Sequence, residues 1–279
     1  KLSKLNINEI ERNGQWNDID PEITGIETNS TRVEKGNIFL AKAGATKNSH
    51  GVLFSNQAIE RGASIVITDP EGFKFALDKD LKPTIPFLLV RNLESTFDYL
   101  CQRFYPDKPN FVMGVTGTNG KTSVVNFSQQ LIEKKNNSCV TIGTLGVGGV
   151  LSLRTDNTTP DQSFIARILQ MAKLKGADYA LLEVSSHSIV QQRIKNLEFN
   201  VFCFTNLSQD HLDYHSDMEN YFQTKMELFK SPYLIKEGSY SVINADDKWG
   251  IKLLDNLNSN PLKISIKNRN LKKDNFFYA

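Results

Sequence analysis

Residues 111–123 constrain this chain more than any other stretch. An apolar run, Phe111-Val112-Met113-Gly114-Val115, leads into a turn punctuated by Gly117 and Gly120, and Lys121-Thr122 then opens a helix. A strand that ends in a glycine turn and restarts as a helix presents backbone N–H groups and a positive helix end to an anion. Lys121 supplies a point charge beside them, and the Thr122 hydroxyl can ligate Mg²⁺. The spacing departs from the common phosphate-loop pattern, which wants glycine six places before the lysine. That position is Val115 here, and the glycines stand at 114, 117 and 120. A plain glycine turn between strand and helix is the competing reading, but it does not account for Gly117-Thr118-Asn119-Gly120-Lys121-Thr122 as a whole. The expected ligand is the triphosphate of ATP.

The rest of the chain must supply a fold around that loop. Its 279 residues allow about two domains with ordinary cores. No repeat or low-complexity tract appears. In the first part, residues 36–41, 63–68 and 87–90 read as buried strands, with helical patterns at 54–61 and 93–104. Tyr105-Pro106-Asp107-Lys108-Pro109-Asn110 then reads as a linker, since two prolines in four residues end a helix and stiffen the crossing. The expected division is 1–107 and 108–279.

Beyond the linker, strands are expected at 111–115, 139–143, 178–184, 199–205 and 240–243, and helices at 122–135, 160–175 and 218–229, the second with Thr159 as N-cap and Pro160 in its first turn. This alternation specifies an α/β fold with a mostly parallel sheet and helices on its faces, where ligands collect at the carboxyl ends of strands. The polar clusters 116–122, 183–187 and 205–215 all follow strands, which points to one site.

Composition excludes some partners. Lys+Arg 33 against Asp+Glu 31 leaves a formal net charge of only +2, which gives no reason to expect nucleic acid or a membrane surface. Cys101, Cys139 and Cys203 form no C-x-x-C pair and read as free thiols, favouring a reducing cytoplasm. No apolar stretch approaches the roughly 20 residues of a membrane helix, and no signal peptide is visible. The chain is expected to be a cytoplasmic monomer. It begins with Lys, so its recorded start is expected to be trimmed.

Two further clusters carry chemistry. Glu183-Val184-Ser185-Ser186-His187 ends a strand with a carboxylate, two hydroxyls and an imidazole; a carboxylate there can hold Mg²⁺ opposite the loop threonine, or the cluster can be a strand-ending cap. Residues 205–215, Thr-Asn-Leu-Ser-Gln-Asp-His-Leu-Asp-Tyr-His, pack two histidines and two aspartates. A transition metal is conceivable, but the phosphate loop favours a hard cation. Lys225 follows beside the apolar face of a helix, where a lysine ordinarily snorkels to solvent.

Taken together, Gly-Thr-Asn-Gly-Lys-Thr (117–122), Asn-Thr-Thr-Pro (157–160), Glu-Val-Ser-Ser-His with Gln-x-Arg (183–193) and Thr-Asn-Leu-x-x-Asp-His-Leu-Asp-Tyr-His (205–215) closely resemble the Mur ligases, and within them the tripeptide-synthetase type. The resemblance runs in order through nearly the whole chain. It implies ATP-dependent amide-bond formation in peptidoglycan precursor synthesis. ATP would phosphorylate the D-glutamate carboxylate of UDP-MurNAc-L-Ala-D-Glu, and a diamino acid, L-lysine or meso-diaminopimelate, would attack the acyl phosphate.

The residues match the family's roles position by position. Gly117, Thr118, Asn119, Gly120, Lys121, Thr122 and Ser123 would cradle the phosphates, with Asn244 on the nucleoside side. Thr122, Glu183 and His211 would face Mg²⁺, and Lys225 matches a lysine carbamylated by CO₂ near the second metal. Asn157, Thr158, Thr159, Ser185, Gln191 and Arg193 would contact the muramoyl substrate. The first domain resembles the family's uridine-binding domain, with Thr28, Ser30, Ala45, Thr46 and Lys47 toward the UDP. Asn29-Ser30-Thr31 stands where many members have Asp-Ser-Arg, so the charge contact passes to Arg32 or is lost. The family's third domain, with its Asp-Asn-Pro-Arg motif, has no counterpart in the chain. The expectation is that the chain breaks off near the end of its second domain and cannot by itself complete the ligation. The alternatives are a related ligase with another acceptor, such as a folylpolyglutamate or cyanophycin synthetase, or a UDP-sugar- and ATP-binding module without catalysis.

Overall fold

The computed structural model describes residues 1–5, 7, 9–12, 19–44, 49–81, 84–230, 233, 239–257, 261–267 and 276–277. The chain folds as two units, Lys1–Pro106 and Asp107–Ala279.

The first unit contains β1 (Glu9–Arg12), β2 (Gly25–Glu27), β3 (Asn37–Ala41), α1 (Ser55–Glu60), β4 (Ile65–Thr68), α2 (Pro70–Asp78), β5 (Phe87–Val90) and α3 (Leu93–Phe104). Its sheet has the order β1-β5-β4-β3-β2, parallel from β2 to β5, with β1 antiparallel on the edge. The residues of β3 and β4 are buried throughout, as unbroken apolar runs covered on both faces must be. Two helices begin where side chains satisfy free backbone donors: Asp69 accepts from Gly72 N at 2.8 Å, followed by Pro70, and Asn92 accepts from Ser95 N at 2.9 Å. The sequence reading lacked β1, β2 and α2.

The second unit carries β6 (Phe111–Thr116), α4 (Lys121–Lys134), β7 (Cys139–Gly143), β8 (Gly146–Gly149), α5 (Gln162–Leu174), β9 (Tyr179–Glu183), α6 (Ser186–Val190), β10 (Val201–Phe204), α7 (Met218–Met226), β11 (Tyr240–Asn244), α8 (Lys248–Asp255), β12 (Leu262–Ile264) and β13 (Phe276–Phe277). The sheet order is β13-β12-β11-β10-β6-β9-β7-β8; the pairings are parallel except β7 with β8. After β6 the chain crosses to β7 and β9 on one side, then returns to β10 on the other. That reversal opens a crevice at the carboxyl ends of β6, β9 and β10, where open parallel sheets bind ligands.

Alternation along β6 feeds both layers. Val112 joins the larger core with Phe164, Ile168, Phe199, Phe202 and Tyr221, whereas Met113 and Val115 join Val125 and Leu181 under α4. This also explains the off-pattern glycine. Gly114 lies inside the strand, where a Cβ would run into the Phe202 ring and stand 3.0 Å from Phe199; it serves packing, not phosphate.

Two expectations are corrected. The helix expected at 160–175 is capped by Asp161, which accepts from Phe164 N at 3.0 Å, so Thr159 and Pro160 precede it. Lys225 does not snorkel: it is 1% exposed, because α7 turns it into the space behind the phosphate loop.

Candidate active site

The turn after β6 is held from behind by the segment after β10. Thr118 N donates to Asn206 O at 2.8 Å, Asn119 N donates to the Asn206 side chain at 3.1 Å, and Thr205 Oγ1 donates to Asn119 O at 2.7 Å. The Thr118 hydroxyl donates to Ser208 O at 3.2 Å and accepts from Ser208 N at 3.0 Å. Thr205, Asn206 and Ser208 therefore shape the loop, a role the sequence reading did not give them. Gly117 has no room for a Cβ, which would strike Thr205 Oγ1. Gly120 is left-handed at φ +86° and caps α4, a conformation glycine adopts without strain. Ser123 is exposed in the first turn of α4.

Lys121 bends over this turn, its Nζ donating to Gly117 O at 3.0 Å and Thr118 O at 2.9 Å. Lys225 Nζ reaches the same Gly117 carbonyl at 3.2 Å and Thr116 Oγ1 at 3.3 Å. Two amines thus converge on one oxygen. Burial lowers the pKa of Lys121, with Glu183 and Asp210 opposing. Burial holds Lys225 well below the usual lysine range, and the neighbouring Lys121 charge pushes the same way while Asp210 opposes.

At the end of β9, Glu183 is 2% exposed. Its Oε2 accepts from Thr122 Oγ1 at 2.9 Å and Thr144 Oγ1 at 3.1 Å, and its Oε1 accepts from Thr144 N at 3.0 Å. Among the described residues it has no ion-pair partner. A buried carboxylate held by hydroxyl and amide donors, with the Lys121 charge as its electrostatic neighbour and a threonine at the start of a phosphate-loop helix facing it, suits a hard cation. Beside it a cavity of about 130 Å³, lined in part by Thr122, Asn126, Gln129, Thr141 and Glu183, has room for an ion with several waters. Among the described residues no three His, Cys, Asp or Glu side chains form a metal-binding group. The donor set therefore favours a cation that keeps phosphate and water ligands over an all-protein cage. Thr144 was not singled out from sequence; its signal was a hydroxyl immediately after a strand, Cys139–Gly143, that ends at the same edge.

His211 lies in an aromatic cluster with His187, Tyr214, His215 and Tyr221. Its side chain is 43% exposed, with Nε2 3.5 Å from Asp210 Oδ2. The pKa of His187 is lowered by burial, then by His211, His215 and Arg193.

A second patch adjoins Glu183. Buried Thr159 donates to Glu183 O at 2.8 Å, and its hydroxyl accepts from Ser185 N at 3.1 Å. Ser185 caps α6. The Arg193 guanidinium donates to Thr159 O at 2.6 Å and, through Nε and Nη2, to Gln191 Oε1 at 2.9 and 2.5 Å. Thr158 Oγ1 lies 3.1 Å from Thr144 Oγ1, and Asn157 is exposed beside it. So Thr159, Ser185, Gln191 and Arg193 form one hydrogen-bonded group at the end of β9, with Thr158 joined to the carboxylate through Thr144 and Asn157 beside it in sequence.

Asn244 ends β11. Its Nδ2 donates to Thr205 O at 2.7 Å and its Oδ1 accepts from Asp246 N at 3.0 Å, tying the ends of β10 and β11. In the first unit, Ser30 is buried and donates to Gln57 Oε1 at 2.6 Å, while Thr28 is half-buried with its N–H on Glu27. Ala45, Thr46 and Lys47 lie outside the described residues.

Comparisons with known proteins match this arrangement. The family model of the Mur ligase middle domain matches residues 115–278, and that of the Mur ligase family catalytic domain matches residues 22–96. The chain is 38% identical over 270 residues to the UDP-N-acetylmuramoyl-L-alanyl-D-glutamate–2,6-diaminopimelate ligase of Prochlorococcus marinus subsp. pastoris, covering 94% of this chain and 51% of the relative. It is 37% identical over 236 residues to the protein of the same name from Syntrophomonas wolfei subsp. wolfei, covering 83% and 46%. A solved structure of a ligase with that name superimposes with a TM-score of 0.66 at 28% identity, over 91% of this chain and 51% of that one. The chain spans about half the length of these curated relatives. With the family model covering more than half of its residues, and the phosphate loop, Glu183 and Arg193 converging inside that span, the chain belongs to the Mur ligase family.

Proposed function

We propose that this chain forms the nucleotide- and sugar-peptide-binding part of an ATP-dependent ligase that adds a diamino acid to UDP-MurNAc-L-Ala-D-Glu in peptidoglycan precursor synthesis. The observation that supports it most is the buried Glu183 carboxylate, which accepts from the hydroxyls of Thr122, at the start of the phosphate-loop helix, and of Thr144. The names of the relatives supply the substrate class.

The chemical obstacle is the approach of a carboxylate to a triphosphate, two anions that repel. In this reading the backbone of 117–120 and Lys121 bind the β- and γ-phosphates once Lys121 leaves the Gly117 and Thr118 carbonyls. Thr122, Glu183 and His211 would hold Mg²⁺, which would supply positive charge against the phosphates. Arg193, fixed by Gln191 and Thr159, holds an anionic group of the substrate, with Ser185, Asn157 and Thr158 around it. The D-glutamate carboxylate takes the γ-phosphoryl group, and the diamino acid's amine then displaces phosphate to form the amide. The first unit is assigned to the uridine end, with Thr28 and Ser30 among its contacts.

Lys225 is assigned the carbamate role. Burial of this amine, which has no ion-pair partner among the described residues, favours its uncharged, nucleophilic form; attack of that nitrogen on CO₂ gives a carbamate, with release of one proton. Lys225→Ala should lose activity that short carboxylates partly restore, and an alanine variant with full activity would remove this assignment.

The full-length protein should release phosphate from ATP only when both UDP-MurNAc-dipeptide and diamino acid are present. Turnover independent of the dipeptide would count against the function.

A further inference from the structure

We propose that His187 is a positioning residue for His211, its ring holding the neighbouring imidazole in the orientation that the cation site requires. This rests on the reading of His211 as a cation ligand. Three observations carry it.

The first is contact. The His187 ring lies on Tyr214 with centroids 4.1 Å apart at 36°, and meets His211 edge-on at 4.9 Å and 89°. Tyr214 belongs to the same turn as His211, its N–H donating to His211 O at 3.0 Å. One imidazole therefore grips both ends of the turn that carries the other.

The second is backbone strain. His211 has φ +52°, a left-handed conformation that persists in a non-glycine residue only where its surroundings over-determine it. Those surroundings are visible: Tyr214 N and His215 N both donate to His211 O, at 3.0 and 2.9 Å, and His211 N donates to Asp210 Oδ1 at 2.9 Å.

The third is that, among the described residues, few other contacts hold the ring. The His211 side chain is 43% exposed, and its polar neighbour is the Asp210 carboxylate at 3.5 Å. Ring contacts, with His187 at 4.9 Å and Tyr221 at 6.2 Å, set its direction. His187 rides on α6, whose cap is Ser185. The same short helix thus supports the proposed substrate surface and the cation ligand.

Mn²⁺ serves as the probe, with its binding to the chain read by electron paramagnetic resonance in the presence of ADP. His187→Ala should weaken Mn²⁺ binding about tenfold, the scale seen when a group orienting a metal ligand is removed. His187→Leu, which fills the space without a flat ring and guards against a misfolded alanine variant, should weaken it similarly. His187→Phe should restore affinity to near that of the unsubstituted chain, a rescue that a merely space-filling role would not show. His211→Ala is the reference. If it leaves Mn²⁺ binding unchanged, the cation reading itself fails. If it weakens binding while folded His187→Ala or His187→Leu does not, the positioning role is overturned.

Discussion

Lys225 is the residue whose environment asks most of the fold. A group whose folded pKa lies below its unfolded value weakens the fold while the unfolded chain holds the extra proton. Stability therefore rises with pH between the folded pKa and the ordinary 10.5. In buffer free of carbon dioxide, Lys225→Met should stabilise the chain at pH 7 by about 1–2 kcal/mol. The gap should narrow as the pH rises to 10 and close only above 10.5, where the unfolded chain no longer takes up the proton. Thermal denaturation at the two pH values checks the sign; a destabilised variant at pH 7 would contradict it. Thr144 and Arg193 make simpler predictions. Thr144→Val removes one hydroxyl from Glu183 Oε2 and leaves the backbone donor on Oε1, so the Mg²⁺ concentration for half-maximal turnover should rise about tenfold with little change in melting temperature. Arg193→Lys loses the fork that grips Gln191 and Thr159. KM for the UDP-muramoyl substrate should then rise about tenfold or more, with KM for ATP unchanged.

At the level of elements, legibility followed length and pattern. The runs at 87–90 and 139–143 became β5 and β7 without change, because short apolar runs bounded by turn residues have few alternatives. β2 is three residues long, below any periodicity, and β8 is a glycine-rich strand whose pairing with β7 comes from tertiary context. Asp69-Pro70 carries the start signal of a helix, Pro70–Asp78. Among the site elements, the loop of residues 117–122 was legible because glycine, lysine and threonine do distinct jobs at fixed spacing. The pinning of that loop by Thr205, Asn206 and Ser208 was not, since it depends on β6 and β10 being sheet neighbours. The bond from the Asn244 side chain to Thr205 O also depends on β10 and β11 being neighbours. The depth of Lys225 was likewise set by how α7 packs, which spacing alone does not report.

At the scale of the whole molecule, the parallel sheet of the second unit gathers loops distant in sequence, 116–122, 144, 157–159, 183–193 and 205–215, along one edge. Two thiols lie within that sheet, and burial pushes Cys139 up to about 11 and Cys203 up to about 12. Both should resist iodoacetamide at pH 8 in the folded chain and react on unfolding, as peptide mapping would show. The first unit is a separate α/β body with its own core. Nucleotide binding in the second unit is the property on which the remaining assignments depend. Isothermal titration of this chain with ADP and Mg²⁺ tests it directly, with Lys121→Ala and Glu183→Gln alongside. The account predicts Mg²⁺-dependent binding that weakens at least tenfold in both variants; binding that ignores Mg²⁺, or that Lys121→Ala leaves unchanged, would contradict it.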